Sequence, residues 1–256
     1  MLNDVAKAFF EADMIKELCV EIPTEDKTEE DWNRDNVGFL KKSLYGTRDA
    51  AANFQREVGK VMTKNGFSTG KYNVSTYMHP DRNLKTLVHG DDFVTVGRRK
   101  EVVWFKKALE ERFEIKTKII GRGKNDLKEA RILNRVVRIT PEGWEYEADQ
   151  RHAEIIINSL GLEESKEVTT AGEDSKPWKE EEEEEKLDKP RAAEYRALAA
   201  RANFLALDRA DIQYATKEVC RGMASPTLGD WRKLKRFGRY LKGKPRVVSR
   251  FEWQAR

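Results

Sequence analysis

Cysteine is scarce in this chain. Cys19 and Cys220 stand far apart in 256 residues, which excludes a disulfide framework and fits a reduced intracellular chain of unspecified compartment. The three histidines, His79, His89 and His152, do not make a zinc spacing. No apolar run approaches membrane-spanning length, and the N-terminus lacks a signal-peptide pattern, so no membrane role is expected. Net charge is small, +4 from 49 basic and 45 acidic residues. A surface for a polyanion must therefore come from local clustering. There is no internal repeat. Charged residues reach 37% and mean hydropathy is −0.78, but periodic apolar segments argue against general disorder. The length can bury one large core or two small ones.

What is present centres on Leu87 to Val96. Two runs that favour strands flank a turn, Gly90-Asp91-Asp92, and the pattern predicts a hairpin with acid at its tip. Adjacent carboxylates repel unless a cation lies between them, and hard divalent ions prefer oxygen ligands. Alone, a paired Asp in a turn is usually just a solvated turn, so its meaning depends on the rest of the chain.

Leu2 to Phe10 reads as a strand running into a turn, with Asp4 near its start. Ile22 to Asn36 is polar, contains Pro23 and has no apolar period, and is expected to be a loop. Val37 to Leu44 reads as a strand ending at Tyr45-Gly46. Phe54, Val58, Val61 and Met62 then follow helical spacing, closed by Gly66. Val102, Phe105, Leu109 and Phe113 mark a second amphipathic helix. Ile115, Thr117 and Ile119 alternate as a strand. Ile132 to Ile139 and Trp144 to Ala148 read as two strands joined at Pro141-Glu142-Gly143. Ile155, Ile156, Ser159 and Leu160 line a short helix. This order predicts an α+β domain with helices on one face of an antiparallel sheet, spanning 1–162.

The composition changes over 163–189, where six successive glutamates, Glu180 to Glu185, read as a solvated linker. Residues 190–256 read as helical. The stripe Leu234, Phe237, Tyr240, Leu241 is accompanied by Lys235, Arg236, Arg239, Lys242 and further cations, with no acid from Trp231 to Arg250. Such a cluster is either a solvated helix face or a phosphate-contacting one.

Taken in order, the motifs carry a resemblance. Asp4-Val5-Ala6-Lys7-Ala8-Phe9 resembles the first catalytic motif of reverse transcriptases. Leu40-Lys41-Lys42-Ser43-Leu44-Tyr45-Gly46 is similar to the second motif of copia-type LTR retrotransposons. Gly90-Asp91-Asp92 stands where that family has Tyr-Val-Asp-Asp. Tyr195-Arg196-Ala197, Asn203 to Leu207, Asp211-Ile212-Gln213-Tyr214-Ala215 and Leu234 to Gly243 resemble the segment that follows the polymerase core in copia-type polyproteins.

The resemblance implies a polymerase palm over 1–162, an acidic linker over 163–189 and a helical thumb- or connection-like region over 190–256. It implies an RNA-directed DNA polymerase working by two-metal nucleotidyl transfer, with Mg2+ as the ions and Mn2+ as a substitute. Asp4 and Asp91 become the main metal ligands and catalytic residues. Asp92 adds charge and fixes the turn. Phe9 becomes a floor under the incoming sugar that excludes a 2′-hydroxyl, and Tyr45 and Gly46 border the nucleotide. Lys235, Arg236, Arg239 and Lys242 become nucleic-acid contacts. The partners implied are an RNA or DNA template with primer, deoxynucleoside triphosphates and the rest of the Pol polyprotein.

The sequence departs from the pattern in places. Where the family continues Leu-Lys-Gln-Ala-Pro-Arg-Ala-Trp, this chain has Thr47 to Phe54, with Asp49 replacing Gln and Ala52 replacing Arg. His89-Gly90 replaces Tyr-Val. The fingers and the RNase H acids of the family have no counterpart, so the isolated chain is expected to be weak or inactive. The rival readings are a folded but inactive transposon remnant and a metal-independent nucleic-acid-binding module.

Overall fold

The computed structural model describes residues 1–173 and 185–254. Most of the glutamate run, expected to be an exposed linker, lies outside the described residues. The chain is α+β and forms two compact units, Met1–Leu127 and Lys128–Arg256.

The first unit is built on a six-stranded antiparallel sheet. Its strands are β1 (Leu2–Val5), β4 (Ser68–Thr69), β5 (Thr76–His79), β6 (Leu84–His89), β7 (Asp92–Val96) and β8 (Ile115–Lys118), in the order β4-β5-β6-β7-β1-β8. Period-two alternation divides its side chains between two faces. Val5, Tyr77, Leu84, Val88 and Phe93 point into a core completed by two helices, α2 (Ala50–Lys64) and α3 (Arg99–Glu110). In α2 the buried side chains include Phe54, Val58, Val61 and Met62, at the predicted spacing. Gly66 lies just beyond this helix at φ +80°, where a Cβ would also meet the His79 imidazole at 3.1 Å, so glycine is needed there twice over. In α3 the buried residues are Val102, Phe105 and Leu109.

The expected loop at Ile22 to Asn36 is corrected. It contains a 3-10 turn, Thr24–Asp26, and a short helix, α1 (Glu29–Arg34). A capping box starts α1: Asp31 N–H donates to the Thr28 hydroxyl at 3.3 Å, and Thr28 N–H donates to the Asp31 carboxylate at 2.9 Å. No residue of α1 is buried, so no apolar period announced it. The strand expected over Val37 to Leu44 is shorter, β3 (Val37–Phe39), and pairs with β2 (Cys19–Glu21) in a separate ribbon.

The second unit pairs a four-stranded sheet with a helical core. Strands β9 (Glu129–Ile132), β10 (Arg135–Ile139), β11 (Gly143–Glu147) and β12 (Val248–Glu252) stand in the order β12-β11-β10-β9. Helix α4 (Arg151–Ser159) packs with α5 (Lys189–Ala206), α6 (Gln213–Arg221) and α7 (Leu228–Gly243) around Ile156, Tyr195, Leu205, Ile212 and Phe237. The division between units therefore falls well before the expected boundary at 162–163. The reason is packing: Ala153, Ile156 and Leu160 bury against the later helices, and β12 returns to pair with β11. A charge run marks where the chain is polar, not where its contacts part.

Candidate active site

The register of the first sheet collects charged groups into one row on the face opposite α2 and α3. His89 on β6 is the cross-strand partner of Asp92 on β7, and Asp92 is the partner of Asp4 on β1. Asp4 is in turn the partner of Lys116 on β8. Residues directly opposite in an antiparallel pair lie about 4.5–5.5 Å apart and share a face. Asp91 occupies the turn just before β7, and its backbone carbonyl accepts from Val5 N–H at 3.1 Å. That bond carries the turn against β1, so two residues far apart in sequence are held at one sheet end by main-chain geometry.

Burial first, and then the charges of Asp91 and Asp4, push the Asp92 carboxyl above the ordinary carboxylate range, with His89 acting in the opposite direction. Asp92 thus feels the charge of both other aspartates. This donor set is all oxygen and mutually repulsive, which suits a hard divalent cation. Among the described residues, no three His, Cys, Asp or Glu side chains are already gathered closely enough to hold an ion.

A turn leads from Asp4 to the aromatic residues beside it. Lys7 enters it at φ +50°, a costly conformation for a side-chain-bearing residue, and Ala8–Glu11 form a 3-10 turn. The Phe9 ring lies 4.4 Å from the Tyr45 ring and 6.4 Å from that of Phe54, while Phe10 meets Tyr45 at 5.6 Å. Tyr45 remains 49% exposed, so one side of this aromatic group is open. Gly46 follows at φ +90°, a position that strains any other residue. The segment is tied to α2 by a buried hydrogen bond from Asn53 Nδ2 to Ser43 Oγ at 3.0 Å. Asp49, the acid that departs from the family pattern, pairs with Lys16 at 3.0 Å. Its charge is thereby offset within the protein.

The basic residues of α7 are placed differently from one another. Arg236 donates to Thr170 Oγ1 at 2.7 Å and pairs with Glu173 at 2.5 Å. Arg239 donates to the Lys166 carbonyl at 2.6 Å, and Lys242 to the Ser165 carbonyl at 2.7 Å. Their spacing of three puts all three on one helix face, and that face fastens the 165–173 segment. Lys235 lies exposed on another face.

The register brings in two residues that the motifs do not point to, His89 and Lys116. The alternation of Ile115, Thr117 and Ile119 already placed Lys116 on the opposite face. Only the register shows that it stands beside Asp4.

Residues 2–124 match the family model described as reverse transcriptase (RNA-dependent DNA polymerase). The chain is 27% identical over 249 residues to the "Retrovirus-related Pol polyprotein from transposon RE2" of Arabidopsis thaliana, covering 94% of this chain and 16% of that protein. It is 32% identical over 107 residues to the "Uncharacterized mitochondrial protein AtMg00810" of Arabidopsis thaliana, covering 42% of each. The chain therefore spans less than half the length of either relative.

Proposed function

We propose that this chain, which is similar over residues 2–124 to the reverse transcriptase family model and over most of its length to a retrotransposon Pol polyprotein, is the polymerase portion of a copia-type polyprotein. In this reading it extends a primer on an RNA or DNA template with deoxynucleoside triphosphates. Met1–Leu127 is the palm-side unit, and Lys128–Arg256 is the thumb- or connection-side unit.

The observation that carries the reading is the cross-strand pairing of Asp4 with Asp92, with Asp91 held against the same strand end through its carbonyl. Asp4 and Asp91 would hold the metal, and Asp92 adds negative charge beside them. Two bound divalent ions, Mg2+ or Mn2+, supply stabilisation of charge on the attacking 3′-oxygen and the leaving pyrophosphate oxygen. The open side of the Phe9–Tyr45 pair is where the sugar rests, and a 2′-hydroxyl collides with the Phe9 ring. Gly46, without a side chain, leaves the backbone accessible beside the nucleotide. The Lys16–Asp49 pair keeps the Asp49 acid from opposing the triphosphate.

The test is extension of a DNA primer annealed to RNA, with protein in excess over primer so that a single slow turnover is seen. Addition of deoxynucleotides that requires Mg2+ or Mn2+ is the expected result. A chain that binds primer–template but adds nothing in either metal would instead be an inactive remnant or a binding module.

The exposed cations of α7 are assigned to phosphate contact with less uniformity than their sequence implies. Lys235→Ala is expected to lower the slope of log affinity against log salt by about 1, the signature of one lost phosphate contact. Arg239→Ala is expected to release the 165–173 segment more than it changes that slope, because its guanidinium is committed to the Lys166 carbonyl. Salt titrations of primer–template binding distinguish the two. Equal slope changes would place Arg239 on nucleic acid after all.

A further inference from the structure

Phe9 sits on a strained turn, and something must hold that turn in place. Arg112, just past the end of α3, reaches it. Its guanidinium donates to the Glu11 carbonyl and to the Glu11 carboxylate, each at 2.7 Å. It also donates to Glu57 on α2, from Nε at 3.2 Å and from Nη2 at 3.1 Å. The planar fork thus engages two elements at once, which a lysine cannot reproduce. A parallel aromatic chain joins the same parts: Phe54 lies 6.4 Å from Phe9 and 5.9 Å from Phe113, the residue after Arg112. Arg112 itself lies over the Phe113 ring at 5.0 Å. The turn carrying Phe9 is therefore bracketed, with its entry strained at Lys7 and its exit pinned at Glu11.

We propose that Arg112 is the positioning residue for Phe9 and so sets how strongly this site prefers deoxyribose to ribose. The proposal rests on the reading above that Phe9 lies beneath the sugar. Arg112 touches no substrate. It acts by fixing where the backbone of the Ala8–Glu11 turn lies relative to Tyr45 and α2. A ring that excludes one oxygen atom discriminates only if it cannot retreat, and a displacement near 1 Å is enough to change selectivity steeply.

The decisive measurement is binding, so that it does not depend on turnover. The 256-residue chain is given a primer ended by a dideoxynucleotide, annealed opposite a template cytosine, with Mg2+, and its affinities for dGTP and GTP are compared. The parent is expected to prefer dGTP. Arg112→Gln is expected to narrow that preference roughly tenfold or more, chiefly by admitting GTP. Arg112→Lys should recover it only in part. Glu57→Gln, which removes one anchor and leaves the Glu11 bonds, should lie between and serves if Arg112→Gln does not fold. A purely structural role would weaken both nucleotides equally. An unchanged ratio in the folded Arg112 and Glu57 variants overturns the proposal. Failure of the premise looks different: the parent itself shows no preference, or Phe9→Ala leaves the ratio where it was.

Discussion

Replacing Asp91 with asparagine is expected to reduce metal-dependent primer extension by on the order of a thousandfold or more, while leaving the fold intact. Charge stabilisation by metal in such a transfer amounts to several kcal/mol, and each 1.4 kcal/mol or so is a factor of about ten in rate. The fold should survive because the structural bond at this position is made by the backbone. Val5 N–H donates to the Asp91 carbonyl, which asparagine retains, and the Asp91 side chain is exposed. Thermal unfolding of the variant without metal should therefore match the parent or lie slightly above it, since one of three repelling charges is gone. Added Mn2+ should raise the melting temperature of the parent and not of the variant, because a ligand that binds only the folded state stabilises it. Extension that survives at parental rate would remove Asp91 from the catalytic role.

Much of this candidate site is legible in the sequence alone. A short β-favouring run before Gly90-Asp91-Asp92 and another after it fixed a hairpin, and the observed β6 and β7 flank that turn. The ordered motifs then pointed to Asp4. What the sequence could not supply was register. A one-residue slip would send Asp4 to the buried face in place of Asn3, which is 1% exposed and donates to Thr117 at 2.8 Å. The Arg112 bracket was also hidden. Nothing local distinguishes Arg112 from its charged neighbours, and its partners Glu11 and Glu57 lie on other elements.

The second unit shows where pattern reading fails. Ile132 to Ile139 reads as one strand because Ile132, Leu133, Val136, Val137 and Ile139 make it rich in strand-favouring apolar residues on both sides of Asn134. Leu133 and Asn134 adopt left-handed backbone, at φ +46° and +66°, and fold the run into a hairpin of β9 and β10. Leucine is an uncommon choice for such a turn, so no turn signal was present. Residues 248–252 read as a basic tail, yet Trp144 faces Phe251 and Glu145 faces Arg250 across β11 and β12. Strand formation there depends on a partner about a hundred residues earlier, which local composition does not reveal. The long helices were legible because their apolar faces repeat over several turns.

That unexpected strand is reached through a buried charge, whose loss is the second large effect expected. Glu147 ends β11 and is 2% exposed. Arg246 grips it with two bonds, from Nε at 2.7 Å and Nη2 at 2.8 Å, Arg138 adds one at 2.7 Å, and Gln150 also donates to it. The Arg246 bonds are the leading cause that holds the Glu147 carboxyl at about 2, below its ordinary 4.5, against the opposing cost of burial. Glu147→Ala leaves a void and removes the partner of Arg138, which is largely covered, while the half-exposed Arg246 can turn to water, so the second unit should lose about 1–3 kcal/mol. The pH dependence follows from the sign of the shift. A depressed carboxylate stabilises the fold fully above its unfolded value and loses that contribution as pH falls toward the folded one. For Glu147 the window runs from about pH 5 down to about pH 2, and at roughly 1.4 kcal/mol per unit the contribution is on the order of 3 kcal/mol. Urea unfolding of the parent and of Glu147→Gln at pH 7 and pH 3 checks this. The glutamine variant keeps the volume but cannot titrate, so the stability gap between the two proteins should shrink as the pH falls. A gap that stays constant with pH would mean that Glu147 is held by shape and hydrogen bonding, and that its charge contributes nothing to the closure of β12 on β11.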